Sequence, residues 1–309
     1  MLAAALRAFF LWLSNRRWMA RVALGTPLLR RMPLRFVAGT TLREAIAAVR
    51  RLNAAGASVT LDVLGESVRD RPSADRAAAA YVEAIERIAA EGLDGNVSIK
   101  LSQMGLDLGV EECLAVMAPV VAAGHEHGIF VRIDMESSDY TDRTLEVVDR
   151  LRAGGHDVGP VIQSYLHRSP ADVERLAADR VRTRICKGAY AEGPEVAHQE
   201  RVAVGDAFVS LCEELLRADA YPGVATHDPE MLERVAIFAR EHGIGRDRFE
   251  FQMLYGVRRD LQRRLLKRGY RLRIYVPYGT EWYPYFMRRL AERPANVLFV
   301  LRSVFGERP

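Results

Sequence analysis

The stretch Asn96-Val97-Ser98-Ile99-Lys100-Leu101 alternates strictly between polar and apolar side chains, and this pattern decides the fold. Successive residues of a β-strand point to opposite faces, so one face of this strand is apolar while the other is polar and charged. Short runs of the same kind recur along the chain, separated by stretches with the apolar spacing of amphipathic helices. The strand-like runs lie at about 57–65, 96–104, 128–136, 159–166, 181–188, 223–227, 248–255 and 271–277.

Eight alternations of strand and helix predict an α/β protein with a parallel sheet, and eight strands are the number that closes a (βα)8 TIM barrel. A doubly wound sheet is the alternative, but no GxGxxG motif follows the first strand-like run. We therefore expect a barrel over residues 39–309, preceded by an N-terminal helical segment at 1–38. Helical spacing is clearest at 74–90, 111–125, 141–153, 200–218 and 229–242.

The polar faces of these strands carry many charges. In a barrel the apolar face of each strand packs under the helices, and the other face points into the lumen. Unpaired buried charges are very costly, so these groups must pair with one another and with a polar ligand near the mouth. The side chains expected in the lumen are Thr60, Asp62, Asn96, Ser98, Lys100, Arg132, Asp134, Gln163, Arg182, Arg184, Glu250, Gln252, Arg271, Arg273 and Tyr275.

Lysine is rare in this chain. Only three of the 44 basic residues are lysine, and two of them, Lys100 and Lys187, close strand-like runs. An ammonium is a compact point charge, whereas a guanidinium is a planar fork, so lysine at a strand end indicates a small anionic ligand. Lys187 has the opposite parity to Arg184, and both reach the lumen only if the fifth strand turns near Gly188.

Composition excludes several other classes. The net charge of +4 is spread over 84 charged residues, and no basic run is interleaved with aromatic residues, so nucleic-acid binding is not expected. Three scattered cysteines without a CxxC motif indicate no structural disulfide or metal site. The apolar stretch 2–13 is interrupted by Arg7 and is shorter than the roughly 20 residues of a membrane span. Packing on the barrel is favoured for it, and a membrane-surface helix is the alternative.

The last strand-like run leads into a predicted helix that carries the adjacent residues Arg288 and Arg289. Together with five earlier motifs, in the same order, this segment closely resembles the proline dehydrogenase family over residues 37–302. The five motifs are Val97-Ser98-Ile99-Lys100-Leu101-Ser102, Arg132-Ile133-Asp134-Met135-Glu136, Arg184-Ile185-Cys186-Lys187-Gly188-Ala189-Tyr190, Ala225-Thr226-His227 and Phe249-Glu250-Phe251-Gln252-Met253-Leu254-Tyr255-Gly256.

The resemblance implies a distorted (βα)8 barrel that binds FAD, with its eighth helix over the mouth. It implies oxidation of L-proline to pyrroline-5-carboxylate by hydride transfer from C5 to the flavin, the first step of proline catabolism to glutamate. The chain looks like the stand-alone enzyme, with a membrane quinone as acceptor and a separate pyrroline-5-carboxylate dehydrogenase downstream. Its expected location is cytoplasmic, either free or peripheral at the inner face of the membrane.

The resemblance also assigns residues. Positions matching Asp134 and Arg184 lie beside substrate and flavin. Glu66 follows the first strand and is the nearest acidic candidate from the sequence, so an ion pair between Glu66 and Arg289 is expected to gate the site. A solvated loop residue is the alternative for Glu66. Positions matching Lys100, Arg288 and Arg289 hold the carboxylate, and those matching Tyr190, Leu254 and Tyr275 wall the proline ring. The FAD contacts correspond to Met135, Gln163, Arg184, Lys187, Gly188, Ala189, Thr226 and His227.

Two other functions fit parts of the sequence. A Schiff-base aldolase would use Lys187 or Lys100 as a covalent amine on a barrel strand. A peripheral membrane module would bind lipid through the N-terminal helices and carry no flavin. A flavin spectrum and borohydride trapping of a substrate adduct distinguish these functions from a proline dehydrogenase.

Overall fold

Eight parallel strands close into a barrel in the order in which they occur along the chain. The computed structural model describes residues 35–65, 67–283, 285 and 287. Its closed ring confirms the predicted (βα)8 class and rules out the doubly wound alternative. The strands are β1 (Ser58–Val63), β2 (Gly95–Lys100), β3 (Val131–Asp134), β4 (Val158–Gln163), β5 (Arg184–Cys186), β6 (Gly223–Ala225), β7 (Glu250–Leu254) and β8 (Leu272–Tyr278).

Helices surround this ring, and local sequence signals start several of them. Thr41 caps the first helix in a capping box with Glu44, and Asp70 caps the second by accepting a hydrogen bond from the Ser73 amide at 2.8 Å. The helices are α1 (Leu42–Ala54), α2 (Arg71–Ala90), α3 (Val110–His127), α4 (Thr141–Ala153), α5 (Ser169–Ala178), α6 (Arg201–Arg217), α7 (Pro229–Glu241) and α8 (Arg259–Lys267).

The first helix closes the outer layer, because α1 packs against both β1 and β8. The apolar faces of the strands form the core between barrel and helices, where Leu61, Ile99 and Phe251 are fully buried. No helix in the described part of the chain is long and apolar enough to cross a membrane. Residues 1–34, Arg288 and Arg289 lie outside the described residues, so the boundary at residue 38 and the placement of the last helix over the mouth stay predictions.

The lower lumen is filled by paired charges. Arg273 donates from Nε to Glu250 Oε1 at 2.7 Å and from NH1 to the Val59 carbonyl at 2.9 Å. Arg132, which is buried, donates from NH1 to the Pro160 carbonyl at 2.8 Å. Burial alone would raise the pKa of Glu250, but the Arg273 charge and its hydrogen bond outweigh burial and lower this pKa. The carboxylate therefore stays ionised and compensates the arginines around it.

Two of the residues predicted to face the lumen do not. Arg182 pairs with Asp157 at 3.4 Å, and its side chain is 51% exposed. Arg271 is also exposed and donates to the Tyr221 hydroxyl at 3.2 Å. Alternation along the strands wrongly placed these two side chains in the lumen, because β5 begins only at Arg184 and β8 only at Leu272. Both residues precede their strands, at the open amino-terminal end of the barrel.

Replacement of Glu250 tests the lower lumen. Glu250→Ala leaves Arg273, whose side chain is only 14% exposed, without its carboxylate. We therefore expect a loss of about 3–5 kcal/mol in the free energy of unfolding at pH 7. Because the pKa of Glu250 is lowered in the folded state, the difference from the unaltered protein should shrink as the pH falls below about 4.3.

Urea denaturation at several pH values measures both effects. Asp206→Ala is the matched control, since it breaks the exposed Asp206–Arg234 pair and should cost at most about 1 kcal/mol. Equal losses in the two variants would show that the Glu250 carboxylate does not compensate the lumen arginines.

Candidate active site

The carboxyl ends of the strands surround a cavity of about 360 Å³ at the barrel mouth. Active sites of (βα)8 barrels occupy this end, because the loops that follow the strands meet there. Residues from seven of the strands, or from the loops after them, reach the cavity. Among the described residues the lining consists of Lys100, Asp134, Met135, Val161, Arg184, Cys186, Lys187, Gly188, Ala189, Ala225, Thr226, His227, Asp228, Gln252, Met253, Leu254 and Tyr275.

Asp134, at the end of β3, collects hydrogen bonds from three other strands. Its Oδ1 accepts from Ser98 Oγ at 2.6 Å and from Arg184 NH1 at 2.8 Å. Its Oδ2 accepts from the Tyr275 hydroxyl at 2.8 Å. The Asp134 carboxylate thereby fixes the position of the Arg184 guanidinium and of the Tyr275 ring.

Tyr275 remains a hydrogen-bond donor in this arrangement. Burial raises the pKa of Tyr275 well above its ordinary value, and the negative charge of Asp134 adds to the effect. The phenol is therefore protonated at neutral pH and donates to the carboxylate. The Arg184 guanidinium carbon lies 5.3 Å from the centroid of the Tyr275 ring, within the range of a cation–π contact.

Lys100, at the end of β2, has a carboxylate beneath it. Its Nζ lies 3.3 Å from Oδ1 of Asp62, a β1 residue whose side chain is fully buried. Burial raises the pKa of Asp62, and the Lys100 charge opposes the rise. The pair places an ammonium at the cavity wall, with 15% of the Lys100 side chain exposed, where an anionic group of a ligand can reach it.

The structure confirms the predicted turn after β5. The strand ends at Cys186, and Gly188 has a φ of +112°, a left-handed conformation that favours glycine. A Cβ at this position would also collide with the Tyr165 ring. The turn brings Lys187 into the cavity wall together with Arg184, and its Nζ bonds to Asp228 Oδ2 at 3.0 Å.

The loops after β6 and β7 are tied together by a histidine. His227 Nε2 accepts a hydrogen bond from the Leu254 amide at 2.9 Å, so the proton of the neutral ring is on Nδ1. Thr226 Oγ1 accepts from the Asp228 amide at 3.2 Å. These contacts hold Thr226, His227 and Leu254 in the cavity wall.

Two predicted site residues lie elsewhere. Gln163 is buried, and its amide donates to the Glu136 carbonyl at 2.8 Å, so it does not line the mouth cavity. Tyr190 is 40% exposed and lines a second hollow of about 390 Å³. Glu66, Arg288 and Arg289 lie outside the described residues. The second hollow is lined by Tyr165, Lys187, Gly188, Ala189, Tyr190, His198, Gln199, Arg201 and Val204.

Several residues at the mouth had no assigned role. Asp62, Ser98 and Gln252 carry the parity of the lumen, but parity alone does not say which charged neighbour each one contacts. Asp228 could have been found from the Asp-Pro pair that starts α7, since its side chain accepts from the Glu230 amide.

Burial raises the pKa of the Cys186 thiol to about 11, so this cavity residue is protonated and a poor nucleophile. Within the described ranges, no cluster of acidic, histidine or cysteine residues could hold a metal ion.

Alanine at Gly188 tests the turn after β5. Gly188→Ala adds backbone strain of about 1–3 kcal/mol and a collision with Tyr165. Gly128→Ala is the control, because Gly128 also has a positive φ but nothing lies within 4 Å of a Cβ there. We expect chemical denaturation to show a clearly larger loss of unfolding free energy for Gly188→Ala. Equal losses would mean that the Tyr165 ring is free to move away.

Comparisons with known proteins agree with this geometry. The proline dehydrogenase family model matches residues 45–302. Proline dehydrogenase 1 of Bacillus subtilis subsp. natto is 39% identical over 301 residues, which cover 97% of this chain and 99% of that protein. Proline dehydrogenase of Deinococcus radiodurans is 42% identical over 275 residues, covering 87% of this chain and 89% of that protein.

Solved structures give the same result. Proline utilization A (PutA) from Bdellovibrio bacteriovorus, inactivated by N-propargylglycine, superposes with a TM-score of 0.82 at 25% identity. The match covers 90% of this chain and 34% of that longer one. With a family model matched over most of its length and relatives of nearly equal size, the chain belongs to the proline dehydrogenase family.

Proposed function

We propose that the mouth cavity is the active site in which this chain oxidises L-proline to pyrroline-5-carboxylate, with FAD as the hydride acceptor. The observation that carries the proposal is the cluster of Asp134, Arg184 and Tyr275 at the strand ends, with Lys100 on the neighbouring wall. A fixed guanidinium, a fixed ring and an ammonium are the groups needed to orient a small amino acid beside a cofactor.

The described residues fit FAD. The mouth cavity and the second hollow share Lys187, Gly188 and Ala189, so together they offer an elongated surface for a dinucleotide. Met135 and Met253 give the mouth cavity apolar surface suited to a flavin ring. The second hollow includes Arg201 besides Lys187, which suits phosphate groups. When bound, FAD supplies the electron sink for the hydride removed from C5.

We assign roles on the FAD side from the resemblance. Arg184 would donate to the flavin where negative charge develops, and Met135, Lys187, Gly188, Ala189, Thr226 and His227 would contact the cofactor. For Gln163 we infer an indirect role, because its amide donates to the Glu136 carbonyl.

On the substrate side, Lys100 would bind the proline carboxylate, and Leu254 and Tyr275 would wall the ring. Asp134 accepts three hydrogen bonds, so its role is to hold Arg184 and Tyr275 in place. Tyr190 would close the site from the second hollow. The Arg288–Arg289 clamp and the Glu66 gate stay predictions from the sequence, since these residues lie outside the described part.

The electron acceptor and the next enzyme belong to the same proposal. A membrane quinone would reoxidise the flavin, and a separate pyrroline-5-carboxylate dehydrogenase would consume the product. The protein would then act in the cytoplasm or at the inner face of the membrane. These statements rest on the resemblance to the family.

Spectroscopy tests the site and its cofactor. We expect the purified protein to show a flavin spectrum that L-proline bleaches without oxygen, with pyrroline-5-carboxylate as product. Arg184→Lys keeps the positive charge but loses the planar fork, so flavin reduction should slow by about 10²–10³-fold. Stopped-flow absorbance at saturating proline measures this rate. A protein without flavin, or a lysine–substrate adduct trapped by borohydride, would contradict the proposal.

Substrate selectivity tests Tyr275. Tyr275→Ser removes the ring and should raise the efficiency on 4-hydroxyproline relative to proline, because the extra hydroxyl gains room. Tyr275→Phe is the control, since it keeps the ring and loses only the hydrogen bond to Asp134. It should lower kcat/KM by roughly tenfold on both substrates without changing their ratio. The ratio of kcat/KM values decides, and an unchanged ratio in Tyr275→Ser would show that the ring does not contact the substrate.

A further inference from the structure

Gln252 on β7 reaches across β6 to contact Arg184 on β5. Its Oε1 accepts from Arg184 Nε at 2.5 Å, although β6 lies between the two strands in the sheet. The first residue of β6 is Gly223, paired in register with Arg184 on one side and Glu250 on the other. A Cβ at Gly223 would lie 2.5 Å from Gln252 Nε2 and 2.9 Å from its Cδ. The amide therefore occupies space that any other residue at 223 would fill.

The orientation of this amide is determined by its two neighbours. A guanidinium only donates hydrogen bonds, so Gln252 must present its oxygen to Arg184. The Gln252 NH₂ group then needs an acceptor, and it donates to Glu250 Oε1 at 2.6 Å. Glu250, Gln252 and Arg184 are all at least 94% buried. A flipped amide would leave two polar groups unpaired in a low-dielectric interior, which is strongly disfavoured.

These contacts leave one nitrogen of Arg184 available. Nε bonds to Gln252, and NH1 bonds to Asp134 and to Ser98 Oγ. NH2 makes no hydrogen bond to any residue in the described ranges, while Arg184 lines the mouth cavity. Held at two of its three nitrogens, the guanidinium has little freedom to turn away from a ligand.

We propose that Gln252 is a positioning residue for Arg184, with its amide oriented by Glu250 and accommodated by the missing side chain of Gly223. The chain of contacts from Glu250 through Gln252 holds the Arg184 guanidinium in the cavity wall, where it would donate to bound FAD. This inference rests on the proposed function, in which Arg184 donates to FAD. It adds two residues whose effect on the flavin would pass through the Arg184 guanidinium, Gln252 by direct contact with it and Gly223 through Gln252.

The two-electron reduction potential of bound FAD measures this effect without turnover. A positive, well-oriented donor favours the reduced flavin, so Arg184→Lys should lower the potential. Gln252→Met and Gly223→Ala should lower it in the same direction, because each releases the guanidinium from its fixed position. We expect a roughly tenfold weaker preference for the reduced flavin in each, which corresponds to about 30 mV for a two-electron couple.

Double variants distinguish positioning from a separate structural effect. If Gln252 and Gly223 act through Arg184, adding either substitution to Arg184→Lys should lower the potential little further. Gln262→Met is the matched control, because this buried glutamine on α8 donates to the carbonyls of Leu254 and Val257 and does not contact Arg184. It should lower the thermal midpoint and leave the potential unchanged.

The outcomes are separable. The inference is supported if Gln252→Met and Gly223→Ala each lower the reduction potential and neither decrease adds to that of Arg184→Lys. If Gln252→Met does not fold, Gly223→Ala carries the test, since it adds one methyl group and lines neither hollow. An unchanged potential in these variants, or losses that add to that of Arg184→Lys, would overturn the inference and leave FAD binding intact. Failure of the unaltered protein to bind flavin would overturn both the proposed function and this inference.

Discussion

A charged barrel lumen is the constraint on which the rest of this structure depends. Four basic side chains, Lys100, Arg132, Arg184 and Arg273, and three acidic ones, Asp62, Asp134 and Glu250, lie inside or at the rim of the ring. Isolated charges there would destabilise the fold strongly, so each is paired with or hydrogen-bonded to a group on another strand. The pairing joins residues far apart in the sequence, so these contacts form only when the strands are in register.

The charged lumen has two layers with different consequences. In the lower layer Arg273 pairs with Glu250 and bonds to a strand carbonyl, and Arg132 bonds to the Pro160 carbonyl; this layer supports the barrel. In the upper layer Asp134 and Asp62 hold Arg184, Tyr275 and Lys100 beside a cavity. Gln252 connects the layers, since its amide touches Glu250 below and Arg184 above. The geometry of the proposed site is therefore coupled to the groups that stabilise the fold.

Much of this arrangement could be predicted from the sequence, and the predictions that were wrong have clear physical causes. The eight alternations predicted the barrel, and the alternation of Asn96–Leu101 predicted that Ser98 and Lys100 face inward. The same alternation wrongly placed Arg182 and Arg271 in the lumen. It holds only inside a strand, and both residues precede their strands. Gln163 faces inward but turns to the Glu136 carbonyl, a contact that parity does not reveal. The resemblance to a family supplied the proposed roles of Leu254, Thr226 and His227, which periodicity alone would have left as packing residues.

The sequence by itself determined the barrel class, the polar side of each strand and the strand ends where chemistry is expected, because these depend on local periodicity. Only the tertiary structure decided which charges meet. Tyr275 and Asp134 are 141 positions apart, and Arg184 and Gln252 are 68 apart. Their contacts follow from strand register and from closure of β8 against β1, which no local pattern encodes. The need for glycine at position 223 also depends on the tertiary structure. The sequence shows only a glycine before a short strand, whereas the packed barrel shows that a side chain there would collide with Gln252.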